Sequence, residues 1–230
     1  MATPLPGIVR MGLIKRLPSL TPAAFTEHWS GPHGAFAARL PNLRRYYQNH
    51  TMRPVRIGKL TDPWELDGLS ELWFDSLELM ERAIASPSYG DLAGDTPTVM
   101  IVPGVIAGPQ EAVVAMREDT DPPVKVMSVL KRRPGLSSER FLDGWRDATA
   151  RLAGAEGLLG LVNTVVAYRE GAPREKLAYD ALPVDAVAEF WFASDRAMMS
   201  AFQRPDFVTR AEELCDSAPA YVVQTYLILP

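Results

Sequence analysis

The chain has 230 residues, 47% of them hydrophobic, and its 24 basic and 28 acidic side chains leave a net charge of −4. That is enough apolar material for one large domain or two small ones. The acidic balance and the scattered positives (Arg44–Arg45, Lys131–Arg132–Arg133, Arg174) argue against a nucleic-acid surface.

The single cysteine, Cys215, excludes an internal disulfide and a thiolate metal site. It follows Ala211 and Leu214 at helical spacing and reads as a small buried apolar group. The N-terminus MATPLPGIVRMG lacks the pattern of a secretory leader, and no apolar run approaches the roughly 18 residues of a membrane span. A reducing cytoplasm is the expected location, without a membrane partner.

In chain order, a strand is predicted at 8–16. Thr21 then caps a helix that Pro22 opens. Phe25, Trp29, His33, Phe36 and Leu40 form its apolar stripe, and Ser30-Gly31-Pro32 breaks its regularity, because Pro32 has no N–H to give the carbonyl of His28. A second strand is expected at about 43–51 and a third at 68–75. Ser76 caps a second helix that Pro87 interrupts, and a last strand runs over 98–106.

The order then repeats. MGLIKRLPSLTPAAFTEHW from Met11 parallels MSVLKRRPGLSSERFLDGW from Met127: Lys15, Arg16, Pro18, Leu20, Phe25 and Trp29 match Lys131, Arg132, Pro134, Leu136, Phe141 and Trp145. ELWFDSLELM from Glu71 parallels EFWFASDRAMM from Glu189. The reading is βαββαβ twice: a first unit over 1–107, a linker over 108–122 and a second unit over 123–230. A βαββαβ unit makes a four-stranded antiparallel sheet with both helices on one face. Its other face is apolar too, so the two sheets are expected to face each other as a barrel with helices outside, a pseudo-dimer within one polypeptide. A further dimer of chains stays open. The space between a helix pair and its own sheet is the natural pocket.

All three histidines, His28, His33 and His50, lie in the first unit; the second has Gly144, Thr149 and Val166 there. Shared architecture would survive in both copies, so one-copy residues are the better functional candidates. His33, on the sheet-facing stripe, is a candidate general acid or base, because an imidazole titrates near neutrality. His50 ends the run Arg44-Arg45-Tyr46-Tyr47-Gln48-Asn49-His50, whose alternation puts Tyr46, Gln48 and His50 on one face. It is the candidate second proton-transfer group, sharing one cavity with His33. His28 reads as a surface residue. Trp29, Phe36, Tyr46, Tyr47 and Trp73 are candidate walls, and Asp67 a candidate orienter of a histidine, although its place before Gly68 also suits a turn. Glu71 and Glu189, present in both units, fit an ion pair inside the barrel. No GxGxxG, GKS/T, GxSxG or HExxH pattern and no carboxylate cluster at metal spacing occurs, so neither a cofactor nor a metal is announced.

The stretch FTEHWSGPHGAFAARLPNLRRYYQNH from Phe25, with DGLSELWFDS from Asp67, resembles the EthD family of dimeric α+β barrel proteins. The second unit resembles a degenerate copy without the histidines. The resemblance implies tandem ferredoxin-like units, a cofactor-free pocket lined by His33 and His50, and one working pocket per chain. It also implies acid/base chemistry, a lyase or isomerase reaction such as dehydration, decarboxylation or lactone isomerisation, on a small aromatic- or polyketide-derived metabolite. The alternatives are a cofactor-free oxygenase, a haem-binding barrel with His33 as axial ligand, and a non-catalytic ligand-binding or stress-related module.

Overall fold

The computed structural model describes residues 7–116, 123–171 and 174–230. The first unit comprises β1 (Ile8–Arg16), α1 (Pro22–His28), a π-turn (Trp29–His33), α2 (Gly34–Ala37), β2 (Arg45–Val55), β3 (Gly68–Phe74), α3 (Leu77–Ile84), α4 (Pro87–Val99) and β4 (Met100–Gly108), with β5 (Gln110–Val114) after it. The second comprises β6 (Val124–Arg132), α5 (Ser138–Ala150), β7 (Leu158–Val165), β8 (Tyr168–Gly171), β9 (Glu175–Lys176), β10 (Ala186–Phe192), α6 (Asp195–Phe202), α7 (Pro205–Leu214), β11 (Cys215–Ser217) and β12 (Ala220–Leu229). Local chemistry sets the helix starts. Thr21, Ser76, Ser137 and Ser194 each accept a backbone N–H three residues on, and Pro87 and Pro205 each begin a fresh helix. The chain is α+β, with antiparallel sheet order β2-β3-β1-β4 in the first unit and β7-β10-β6-β12 in the second.

Main-chain hydrogen bonds join the two sheets at both seams. β12 runs antiparallel along β2, from Ala220 opposite Val55 to Leu229 opposite Tyr46. β4 and β5 together run along β8 and β7, from Val105 opposite Glu170 to Val114 opposite Leu161. Most of 108–116, expected as linker, is therefore strand: it prolongs the first unit's last strand across the seam, as β12 does for the second. Residues 117–122 lie outside the described residues.

Alternation along each strand divides the core. Val9, Met11, Leu13, Leu69, Trp73, Met127, Val129, Val187 and Tyr221 fill the barrel interior. The outer face of the second sheet packs Val126, Leu130, Leu161 and Phe190 against Phe141, Trp145, Phe202 and Phe207 of its helices. Inside the barrel, the buried Lys125 Nζ stands 2.8 Å from Glu71 and 2.8 Å from Glu189, so the repeated glutamates share one lysine.

Candidate active site

The first helix positions the site through a defect. Pro32 cannot close an ordinary helical turn, and the chain takes a wide π-turn from Trp29 to His33 instead. The extra width re-aims the side chains of α2. After His33 the cavity-facing residue is Ala37, while Phe36 turns aside under the Arg39 guanidinium, 4.9 Å from its ring centre. Phe36 is therefore not a wall of the cavity. Trp29 lies flat against the sheet at Gly68, where a Cβ would stand 2.5 Å from the indole; only glycine admits the ring.

Between these helices and the outer face of β1–β3 lies a cavity of about 800 Å³. Trp29, His33 and Tyr46 line it on one side, and Arg10, Gly12, Ser70 and Leu72 floor it. α4 roofs it with Tyr89, Leu92, Ala93 and Thr96. His33 Nδ1 lies 2.8 Å from Asp95 Oδ2, and His28 Nε2 lies 2.9 Å from Asp95 Oδ1, so one carboxylate spans two imidazoles. An Nδ1–H donated to Asp95 leaves His33 Nε2 as a lone-pair acceptor on the cavity wall. Burial lowers the His33 pKa, and the hydrogen bond and charge of Asp95 oppose that without overcoming it. Burial also raises Asp95, but its hydrogen bonds from His28 and His33 outweigh this and hold it below the usual carboxylate value. Tyr46 Oη accepts from the Gln48 amide at 2.8 Å, which leaves its own O–H to donate; burial pushes that phenol up to about 12, so it stays protonated.

His50 is not on this cavity. Its ring stacks on Trp29 with centroids 4.2 Å apart, and its nitrogens meet Thr26 Oγ1 at 3.2 Å and Gln48 Oε1 at 3.3 Å. Both histidines stand on the outer face of the sheet, but the indole separates His50 from the space that His33 faces. The expected pairing in one cavity is thereby corrected. Burial lowers the His50 pKa to about 4, so the ring is neutral in the folded chain. A folded-state value below the unfolded one means stability is intact above about 6.5 and lost as the pH falls towards 4. Between pH 7 and pH 5 this amounts to at most about 2 kcal/mol. Urea unfolding of His50→Gln is expected to lose less over that interval than wild type; parallel losses would contradict it.

Three more candidates lie elsewhere. Tyr47 and Trp73 point into the barrel, ring centres 5.5 Å apart, because they alternate with the outward Tyr46 and Leu72. Asp67 accepts the Arg16 N–H at 2.8 Å, as Asp185 accepts that of Arg132 at 2.9 Å. The duplication marks a shared turn, and among the described residues the Asp67 side chain bonds no imidazole. Strand pairing also shifts one equivalence: His50 lies opposite Gly68, and Val165 opposite Ala186, so Val165, not Val166, is its counterpart.

Sequence reasoning missed Asp95, and it placed His28 at the surface, whereas its side chain is about one third exposed and bonded to that carboxylate. The signal available was the His28–His33 spacing of five residues, one π-turn. The second unit packs the corresponding space with side chains. The positions of Arg10, Tyr46, Ser70 and Leu72 hold Val126, Leu161, Ala188 and Phe190, all in its packed core. Leu152 also sits in that core, while Val166 packs on the barrel-interior side. Among the described residues no His, Cys, Asp or Glu group offers three ligands to a metal ion, and no helix is long and apolar enough to cross a membrane.

Residues 17–99 match the EthD domain model. Among curated proteins, none matches the chain. Solved structures share its fold over nearly the whole length. An anthrone oxidase-like protein matches with a TM-score of 0.61 at 12% identity, covering 97% of this chain and 93% of that one. A dye-decolorizing peroxidase from Bacteroides thetaiotaomicron VPI-5482 matches with a TM-score of 0.53 at 10% identity, covering 95% and 93%. A protein provisionally described as a monooxygenase from Lactobacillus acidophilus NCFM matches with a TM-score of 0.50 at 10% identity, covering 96% and 93%. The tandem α+β barrel architecture is therefore shared.

Proposed function

We propose that the EthD domain at residues 17–99 is the working half of a cofactor-independent acid/base enzyme, a lyase or isomerase acting on a small aromatic- or polyketide-derived molecule. The observation that carries this reading is the His33–Asp95 pair. The imidazole has one nitrogen fixed by a carboxylate at 2.8 Å and faces a largely apolar cavity with the other. A proton on carbon next to a carbonyl would pass to His33 Nε2 as the carbonyl oxygen takes a hydrogen bond from Tyr46 Oη. Return of that proton at another carbon isomerises the molecule; loss of a β-hydroxyl as water, with proton delivery to it, makes the reaction a dehydration. The low-dielectric walls favour the neutral imidazole and strengthen both interactions.

The test needs no native substrate. 2-Tetralone, an enolisable bicyclic ketone, is incubated in D2O and its α-proton exchange is followed by NMR. Wild type should accelerate exchange and His33→Gln should fall to the buffer rate. Binding without exchange would leave a ligand-binding module. The same free Nε2 would suit haem iron, and a Soret band on haemin titration that His33→Gln abolishes would favour that second reading.

A further inference from the structure

We infer that the cavity takes a carboxylic acid, whose carboxylate is held by Arg10 and Arg174 where the second unit closes the first unit's pocket. This deepens the reading of the same site and rests on it for the chemistry, though not for the binding.

The second unit fills the corresponding space with its own core and supplies Glu170, Gly171 and Arg174 to the wall of this one. There, two guanidinium groups approach a single aromatic ring: Arg10 stands 5.8 Å and Arg174 5.6 Å from the centre of Tyr89. One carboxylate faces them, and its oxygens are already committed. Glu170 Oε1 accepts from Arg10 at 2.9 Å and Oε2 from the Tyr168 hydroxyl at 3.0 Å. Beside Tyr168 the Glu81 carboxylate and the Lys176 ammonium, 5.7 Å from that ring, offset each other, and Arg10 and Arg174 against Glu170 leave one positive charge at this wall. Arg10 is 6% exposed, and its Nε–H is buried without an acceptor. A buried donor left unpaired is costly, and groups of this kind commonly mark a missing partner. Arg174 gives Nη1 to the carbonyl of Ile84 at 2.7 Å and pairs with no carboxylate among the described residues. Its remaining donors have no partner among the described residues.

Geometry links this wall to the reacting end. Arg10 pairs with Leu72, and Leu72 with Tyr46, across adjacent strands. Two strand spacings put the Arg10 and Tyr46 backbones roughly 10 Å apart. A flat molecule of one or two fused rings spans that distance, with its carboxylate on the arginines and its carbonyl at Tyr46. A monoanion balances the residual charge, and a guanidinium fork matches a carboxylate's two oxygens.

The probes are 2-naphthoate and the isosteric, neutral 2-naphthamide, measured by calorimetry and by quenching of tryptophan fluorescence. Wild type should bind the acid on the order of tenfold more tightly than the amide, as charge-assisted hydrogen bonds require, and added salt should narrow the gap. Arg174→Gln, at an exposed position, should abolish the preference and leave amide binding unchanged. Arg10→Gln should do the same; because it also strips Glu170 of its partner, Arg174→Gln is the deciding variant. His33→Gln should keep the acid preference. Equal affinity for acid and amide, a preference that survives Arg174→Gln, or no saturable binding of the acid would overturn the inference. Acid preference with no exchange on 2-tetralone would sink the enzyme reading alone. Exchange with no acid preference would sink the carboxylate assignment alone.

Discussion

Lys125→Met is expected to cost about 3–5 kcal/mol of stability at neutral pH, the range for stranding buried charge by removing its partner. The lysine donates to Glu71 Oε2 and Glu189 Oε2 at 2.8 Å each and to Asn49 Oδ1 at 3.0 Å, and its side chain is buried inside the barrel. The two carboxylates come from equivalent places in the repeat, whereas the lysine has no equivalent: the first unit holds Val9 at that position. One cation thus serves two acids. Burial, and next the charge of Glu71, raise the Glu189 carboxyl to about 8. Because its folded value lies above the unfolded one, Glu189 adds stability that is full below about 4.5 and lost as the pH rises through 8. Without Lys125, whose charge and hydrogen bond oppose that rise, the Glu189 carboxyl rises further. The variant should therefore recover part of its deficit between pH 8 and pH 5.5, and Lys125→Met with Glu71→Gln and Glu189→Gln should recover most of it. Urea unfolding at the two pH values measures this. A deficit independent of pH would mean lost packing alone.

The repeat made the fold readable, because its strand, cap and proline positions recur at a nearly constant offset and alternation says which faces are apolar. Features outside the repeat were harder to read. β5 pairs only across the seam, and its partner strand lies some fifty residues further on. The site was readable where it depended on α1 and β2: His33 and Tyr46 occupy faces that periodicity assigns. It was unreadable where it depended on α4, whose rotation above the sheet decides that Asp95 meets both histidines. His50 failed as a partner because Trp29, the anchor of the stripe that exposes His33, covers it. Phe36 failed because a π-turn shifts the helical phase by about one residue. Tyr47 and Trp73 were nominated for their type against the alternation that pointed them inward.

Asp95→Asn is expected to lower turnover of any enolisable substrate by on the order of 10²–10³-fold while the fold persists. The carboxylate fixes a hydrogen on His33 Nδ1 and so leaves Nε2 basic. An asparagine amide can present its N–H to Nδ1, which puts the ring hydrogen on Nε2 and turns the base into a donor. The imidazolium formed on proton abstraction also loses its adjacent negative charge. The pH profile separates this role from a merely structural one. In wild type burial holds His33 below the ordinary 6.5, so kcat/KM should rise with pH through that lowered value and level off above it. Asp95 contributes a hydrogen bond and a charge, both of which raise His33 against that burial. Their removal must move the acid limb to still lower pH. The variant is thus slower at every pH yet loses less of its remaining activity on acidification. Asp95→Glu, which keeps the charge, should restore part of the rate and move the limb back. His28 lies nearer the far oxygen of the carboxylate, 2.9 Å from Oδ1 against 3.2 Å from Oδ2, and His28→Gln should cost no more than about tenfold. A rate loss in Asp95→Asn with an unmoved acid limb would show that the carboxylate holds α1 and α4 together and does not act through the imidazole.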